Sequence, residues 1–121
     1  MRRVVVTGMG LLTTLGNNKE TSWNNLINLK SGIKKIEHFD VSNLPAKIAG
    51  YINNNKDEDD YYNKTSILDT RDIKRNDRFI QYGLIAAKMA IDDAGLDNLS
   101  VEEKLRVGVS VGSGIGGLET I

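Results

Sequence analysis

The chain contains no cysteine among its 121 residues, and its single histidine is His38. A disulfide, a thiolate metal site and a cysteine nucleophile are therefore excluded within these residues. A metal site built on two histidines is excluded for the same reason. Covalent catalysis by cysteine would need a residue that this sequence does not hold.

An excess of one charge and long hydrophobic runs are missing as well. The chain has 16 Lys and Arg and 16 Asp and Glu, and its formal net charge is zero. Such a balance favours neither nucleic acid nor an anionic membrane as a partner, so charged recognition requires a local patch. No apolar run approaches the roughly 20 residues of a membrane span, and Thr7 and Gly8 interrupt the amino-terminal run too early for a signal peptide. We expect a soluble, cytoplasmic protein.

Hydrophobic periodicity predicts alternating strands and helices. Apolar and β-branched runs predict three strands, at residues 2–7, 46–52 and 105–111. Helical spacing predicts two helices, at residues 19–30 and 72–94, and Gly95 is the expected left-handed stop of the second. One face of that helix is made mostly of small residues, namely Phe79, Gly83, Ala86, Ala87, Ala90 and Ala94. This order of elements is typical of the α/β class, within one domain at residues 1–121.

A polar tract, NNNKDEDD, begins at residue 53. It has too little apolar surface to offset the entropy of ordering it, which predicts a surface loop. An acidic cation site is the alternative, although the spacing and turn glycine of a calcium loop are absent.

Two glycine runs invite a nucleotide-binding hypothesis. The run at residues 7–13 has Thr13 where close packing of a dinucleotide-binding helix favours glycine. The run from Gly112 to Gly117, GSGIGG, fits G-x-G-x-x-G and follows a predicted strand. Such a loop can hold phosphate on backbone N–H groups. The alternative is that its glycines let the backbone pass close to another segment or line an uncharged pocket.

Four groups of residues also occur in a characteristic order: 3–10 (RVVVTGMG), 31–33 with 38–40 (SGI, HFD), 77–83 (DRFIQYG) and 112–117 (GSGIGG). Together they resemble the amino-terminal part of the elongating β-ketoacyl-acyl carrier protein synthases, most closely the synthase II type. The resemblance implies a truncated portion of a thiolase-like fold with α-β-α-β-α layers. Residues 53–70 depart most from the family, and we expect a polar surface-loop insertion there.

The resemblance implies fatty-acid chain elongation. Malonyl-acyl carrier protein is decarboxylated and condensed with an acyl-enzyme thioester to give 3-oxoacyl-acyl carrier protein. The family's catalytic cysteine and two histidines are expected beyond Ile121, so no catalytic residue is assigned and the 121 residues alone are expected to be inactive. The family implies no dissociable cofactor, a homodimer, and acyl- and malonyl-loaded carrier protein as partners. It also implies that the 112–117 loop lines an acyl pocket and binds no nucleotide.

Within that loop, Ile115 matches the family's residue at the end of the acyl pocket. An apolar side chain suits an alkyl tail, and Gly114 and Gly116 on either side would let it move aside. The alternative is an isoleucine packed in an ordinary core.

A basic cluster, Arg71, Lys74 and Arg75, is expected to share one face at the start of the long helix. Acyl carrier proteins are strongly acidic, so the cluster would steer and orient them. Cations at a helix start oppose the helix dipole, which favours a role beyond folding. The alternatives are a solvated face, or a carrier-protein-binding module without catalysis.

Overall fold

The computed structural model describes residues 1–52 and 66–117. It has two compact units: Met1–Gly10 with Asn63–Ile121, here the helical unit, and Leu11–Tyr62, here the hairpin unit. In chain order the elements are α1 (Lys19–Ile27), β1 (Ile33–Lys35), β2 (Ile48–Gly50), α2 (Thr70–Arg75), α3 (Arg78–Ala94), a 3₁₀ turn (Leu96–Asn98) and α4 (Val101–Lys104). Helices and a sheet therefore occur together, as the α/β class requires, although the sheet is smaller than predicted.

The sheet lies in the hairpin unit. β1 and β2 are antiparallel, with Ile33 opposite Gly50 and Lys35 opposite Ile48. The predicted strand at residues 46–52 is confirmed in its centre. β1 was not predicted, because a three-residue strand with two lysines has no hydrophobic alternation to detect.

α1 begins at Asn18, whose side-chain oxygen accepts the backbone N–H of residue 21 at 2.8 Å. The helix ends at Ile27, three residues before the predicted end. Leu29 adopts a left-handed conformation with φ of 55°. The N–H of Lys30 then donates to the carbonyl of Asn25 at 3.0 Å, which closes the last turn in the manner of a Schellman motif. The apolar periodicity continues through Leu29 although the helix does not.

The predicted strands at residues 2–7 and 105–111 are not found among the described residues. A β-branched run favours extended backbone, but a strand also needs a neighbour to form its ladder hydrogen bonds. Near the second run, Ser100 and Glu103 form a capping box that starts α4, and the turn after it extends through residue 106. Apolar side chains of both runs are exposed, including Val4 at 90% and Val109 at 87%.

The predicted helix at residues 72–94 is two helices, α2 and α3, because the backbone becomes extended at Asn76 and Asp77. The side chain of Asp69 caps α2 by accepting the N–H of residue 72 at 2.7 Å. Of the predicted loop at 53–70, residues 53–65 lie outside the described residues. In the remainder Leu68 is buried, at 8% exposure, next to the α2 cap.

α3 is the longest helix, and its predicted small-residue face allows close packing. A Cβ added to Gly10 would lie 2.8 Å from the backbone nitrogen of Ala90, 2.9 Å from the carbonyl carbon of Ala86, and closer still to the carbonyl oxygen of Ala86. The adjacent N–H of Met9 donates to the Asp93 carboxylate at 3.0 Å. These contacts give the glycines of the first run a packing role against α3. The predicted stop at Gly95 is confirmed, with φ of 68°.

Candidate functional site

An open cavity of about 270 Å³ lies in the helical unit, between the amino-terminal end of α3 and the second glycine loop. Its lining residues are Asp77, Arg78, Phe79, Tyr82, Ile115, Gly116 and Gly117. The predicted loop residues Ile115 and Gly116 are therefore brought together with two aromatic side chains of α3. Gly114 does not line the cavity.

Gly116 lies directly against the ring of Phe79. A Cβ added at this glycine would be 2.5 Å from Cε2 and 2.6 Å from both Cδ2 and Cζ of that ring. Any larger residue at this position would therefore push the loop away from α3 or turn the ring. Gly114 differs, because nothing lies within 4 Å of its added Cβ. The close-approach explanation thus applies to Gly116 and not to Gly114.

Ile115 is 80% exposed, so its side chain is not packed in a core of the described structure. It lines the same cavity as Phe79 and Tyr82. An apolar side chain in this position can contact an apolar ligand and can move without disrupting a packed interior.

The predicted basic cluster lies on α2. Arg71, Lys74 and Arg75 are all exposed, and no residue of this six-residue helix is buried. The prediction of cations at a helix start is wrong for Lys74 and Arg75, which occupy the last turn of α2, whereas Arg71 does lie in the first turn of this short helix. Cations in a last turn are favoured by the helix dipole. What favours a role in recognition is therefore that the three cations are exposed and carry the same charge.

The ionisable groups with shifted pKa values lie outside the cavity and outside α2. Hydrogen bonds to Asp92 and then to Asp97 raise the pKa of Lys88. Hydrogen bonds from the backbone N–H and then the hydroxyl of Ser100 lower the pKa of Glu103. Both shifts arise at surface contacts that stabilise helices, so neither identifies an acid or base for catalysis.

Within residues 1–52 and 66–117, no group of three or more acidic or histidine side chains could hold a metal ion. In the same ranges no helix is both long enough and apolar enough to cross a bilayer.

The family model for "Beta-ketoacyl synthase, N-terminal domain" matches residues 1–121. The chain belongs to the β-ketoacyl synthase family, as its N-terminal domain. This confirms the resemblance drawn from the four groups of residues.

Relatives of this synthase domain carry the name 3-oxoacyl-[acyl-carrier-protein] synthase 2. The protein from Vibrio harveyi is 47% identical over 120 residues, which is 99% of this chain and 27% of that protein. The Vibrio cholerae serotype O1 protein is 46% identical over the same shares, and that of Rhizobium meliloti is 41% identical over 100% of this chain and 29% of its own length. The chain thus spans between a quarter and a third of these relatives. Their names support the synthase hypothesis and not the nucleotide-binding alternative.

In the synthase domain, the sequence patterns did not predict the aromatic residues that line the cavity or the buried glutamine of α3. Phe79 was predicted only as part of a helix face and Tyr82 was given no role, whereas the structure places both beside the loop at residue 115. Gln81 was not singled out, although it is buried and hydrogen-bonded to α2. The available signal was its place between Ile80 and Tyr82. If the helix is buried at this position, the amide of Gln81 needs hydrogen-bond partners.

Proposed function

We propose that the chain is the N-terminal part of an elongating 3-oxoacyl-acyl carrier protein synthase. The family match over residues 1–121 carries this proposal. The reaction is decarboxylation of malonyl-acyl carrier protein and condensation of the resulting carbanion with an acyl-enzyme thioester. Because these residues include no cysteine, the nucleophile is supplied outside them, and the 121 residues alone are inactive. The working enzyme is a homodimer, and its partners are acyl- and malonyl-loaded carrier proteins.

The cavity beside Ile115 is proposed as part of the acyl pocket. Its aromatic wall and the exposed isoleucine offer apolar contact to an alkyl chain, and Gly116 lets the loop lie on the ring of Phe79. Gly114 would contribute backbone freedom on the other side of Ile115, because a glycine has no Cβ to restrict its φ and ψ angles. Apolar ligand sites are commonly built in this way, with few polar groups.

α2 is proposed as the docking surface for acyl carrier protein. Its three exposed cations, Arg71, Lys74 and Arg75, form a local patch on a chain whose net charge is zero. A carrier protein with an acidic surface would be attracted to this patch and oriented by it. The expected contribution lies in the association rate and in the specificity for the carrier.

The docking proposal is tested by reversing the patch to glutamate, R71E/K74E/R75E, in the intact protein. Affinity for acyl carrier protein should fall by roughly tenfold or more at low salt, and the salt dependence of binding should flatten. A control with the same change in net charge is R3E/K30E/R106E, which alters three exposed cations outside α2. Equal affinities of the two triple variants at low salt would refute docking through α2.

Titration with NAD or NADP tests the nucleotide alternative, and we expect no binding.

A further inference from the structure

α2 carries the proposed docking surface but has no core of its own. It has six residues, none of them buried. An isolated helix of this length is unstable in water, since about 12–15 residues are needed even for good helix formers. The contacts that hold α2 in place must therefore come from residues outside it.

Gln81, on α3, supplies such a contact at the carboxyl-terminal end of α2. Its side-chain amide donates to the carbonyl of Ile73 at 3.1 Å and to the carbonyl of Asn76 at 2.6 Å. Carbonyls at the end of a helix have no partner within the helix, so these are acceptors that require an outside donor. One amide NH₂ group has two donors, and here both are used.

The surroundings of Gln81 make this a fixed attachment. Its side chain is buried at 6% exposure, and Ile85, one turn further along α3, is fully buried. At the other end of α2, Leu68 is buried immediately before the capping residue Asp69. A buried residue thus precedes the cap of α2 and the Gln81 amide binds its other end, while none of the side chains of α2 is itself buried.

We propose that Gln81 is a positioning residue for carrier-protein docking. By binding the last carbonyls of α2, it holds Arg71, Lys74 and Arg75 in one arrangement before the acidic partner arrives. A preorganised surface binds more tightly because the cost of ordering the segment is already met by folding. The inference rests on the proposed docking function of α2, and it assigns to a neutral, buried amide an effect on the recognition of a charged partner.

The test uses Q81M, which keeps the length of the side chain and removes both donors, in the intact protein. KM for acyl-acyl carrier protein should rise by roughly five- to tenfold, as expected when several interface side chains lose their ordering. KM for the same acyl group on pantetheine should stay unchanged, because that substrate does not contact α2. Q81E is the second variant: its ionised carboxylate cannot donate, so KM for the carrier substrate should rise at least as much.

A double-mutant cycle connects the effect to the basic patch. If Gln81 acts through α2, Q81M should add little to the loss already caused by K74A/R75A, whereas an independent effect would add in full. Equal increases of KM for both substrates would show a purely structural role and overturn the inference, as would additivity in the cycle. If R71E/K74E/R75E weakens carrier binding and Q81M does not, the positioning inference fails and the docking proposal stands. If the charge reversal has no effect, both fail.

Discussion

Replacing Gly10 by alanine tests the packing of the amino-terminal segment on α3. The added methyl would meet the carbonyl group of Ala86 and the backbone nitrogen of Ala90, the latter at 2.8 Å. Backbone atoms of a helix cannot rotate away as a side chain can. The segment containing residues 8–10 must therefore move off the helix, which would also lengthen the hydrogen bond from Met9 to Asp93.

The expected loss of stability in G10A depends on the kind of atom that the added methyl would meet. Overpacking of an ordered interior costs about 1–3 kcal/mol, and contact with rigid backbone places G10A near 3 kcal/mol. G83A is the matched control on α3, because nothing lies within 4 Å of its added Cβ. Glycine within a helix is about 0.5–1 kcal/mol less favourable than alanine, so G83A should stabilise by that amount.

The assay is urea unfolding and thermal unfolding of the two variants and the parent chain, each followed by far-UV circular dichroism. For a domain of this size, about 1 kcal/mol corresponds to roughly 4 °C, so G10A should lower Tm by roughly 10 °C and G83A should raise it slightly. If both variants change stability in the same direction, or differ by less than about 1 kcal/mol, the close approach of residues 8–10 to α3 is not present in solution.

Three further predictions concern the pocket, a cap and a turn. I115F should reduce kcat/KM for long acyl chains relative to short ones by about 10–100-fold in the intact protein, since even one methylene is worth about 1–3 kcal/mol in such a pocket. V101F, outside the cavity, should leave this ratio unchanged, and an unaltered ratio in I115F would contradict the proposal that Ile115 limits the acyl pocket. S100A keeps the backbone N–H, which is the larger cause of the lowered pKa of Glu103, and removes the hydroxyl, so this pKa should rise part of the way towards its ordinary value of 4.5 in an NMR titration. Because the folded-state pKa is lowered, the contribution of this cap to stability is complete above pH 4.5 and is lost as the pH falls through the folded-state pKa. A Glu103 pKa unchanged by S100A would refute the hydroxyl contact. L29G should stabilise the chain by about 1 kcal/mol, since φ of 55° is unfavourable for leucine and 92% of this residue is exposed; a lower urea midpoint would show that the side chain makes a stabilising contact.

A structural feature could be predicted from the sequence where neighbouring residues determine it. The stop at Gly95 and the small face of α3 are encoded in neighbouring residues, and both were predicted. The break between α2 and α3 was missed because the predicted helix was begun at residue 72, although its face of apolar and small residues starts only at Phe79. The available signals were Asp69 and Asp77, since aspartate is a residue type that favours the start of a helix.

The predictions of strands at residues 2–7 and 105–111 were wrong because a strand also depends on distant residues. Their residue types favour extended backbone, but a ladder depends on a partner elsewhere in the chain, which no local pattern supplies. The family resemblance succeeded where local patterns did not, because it combined four groups of residues along the chain. It also suggested the loop at residues 112–117 and the basic cluster as sites, which stay predictions, and it did not point to Phe79, Tyr82 or Gln81.

α3 supports both proposed sites through different side chains. Phe79 contacts the glycine loop at Gly116, and Gln81 holds the end of α2. Two residues apart in a helix differ in direction by about 200°, so these side chains leave opposite sides of α3. The cavity wall and the position of α2 can therefore vary independently, although both depend on side chains in the first turn of α3. A change in the α3 backbone at this end, in contrast, would disturb both proposed sites together.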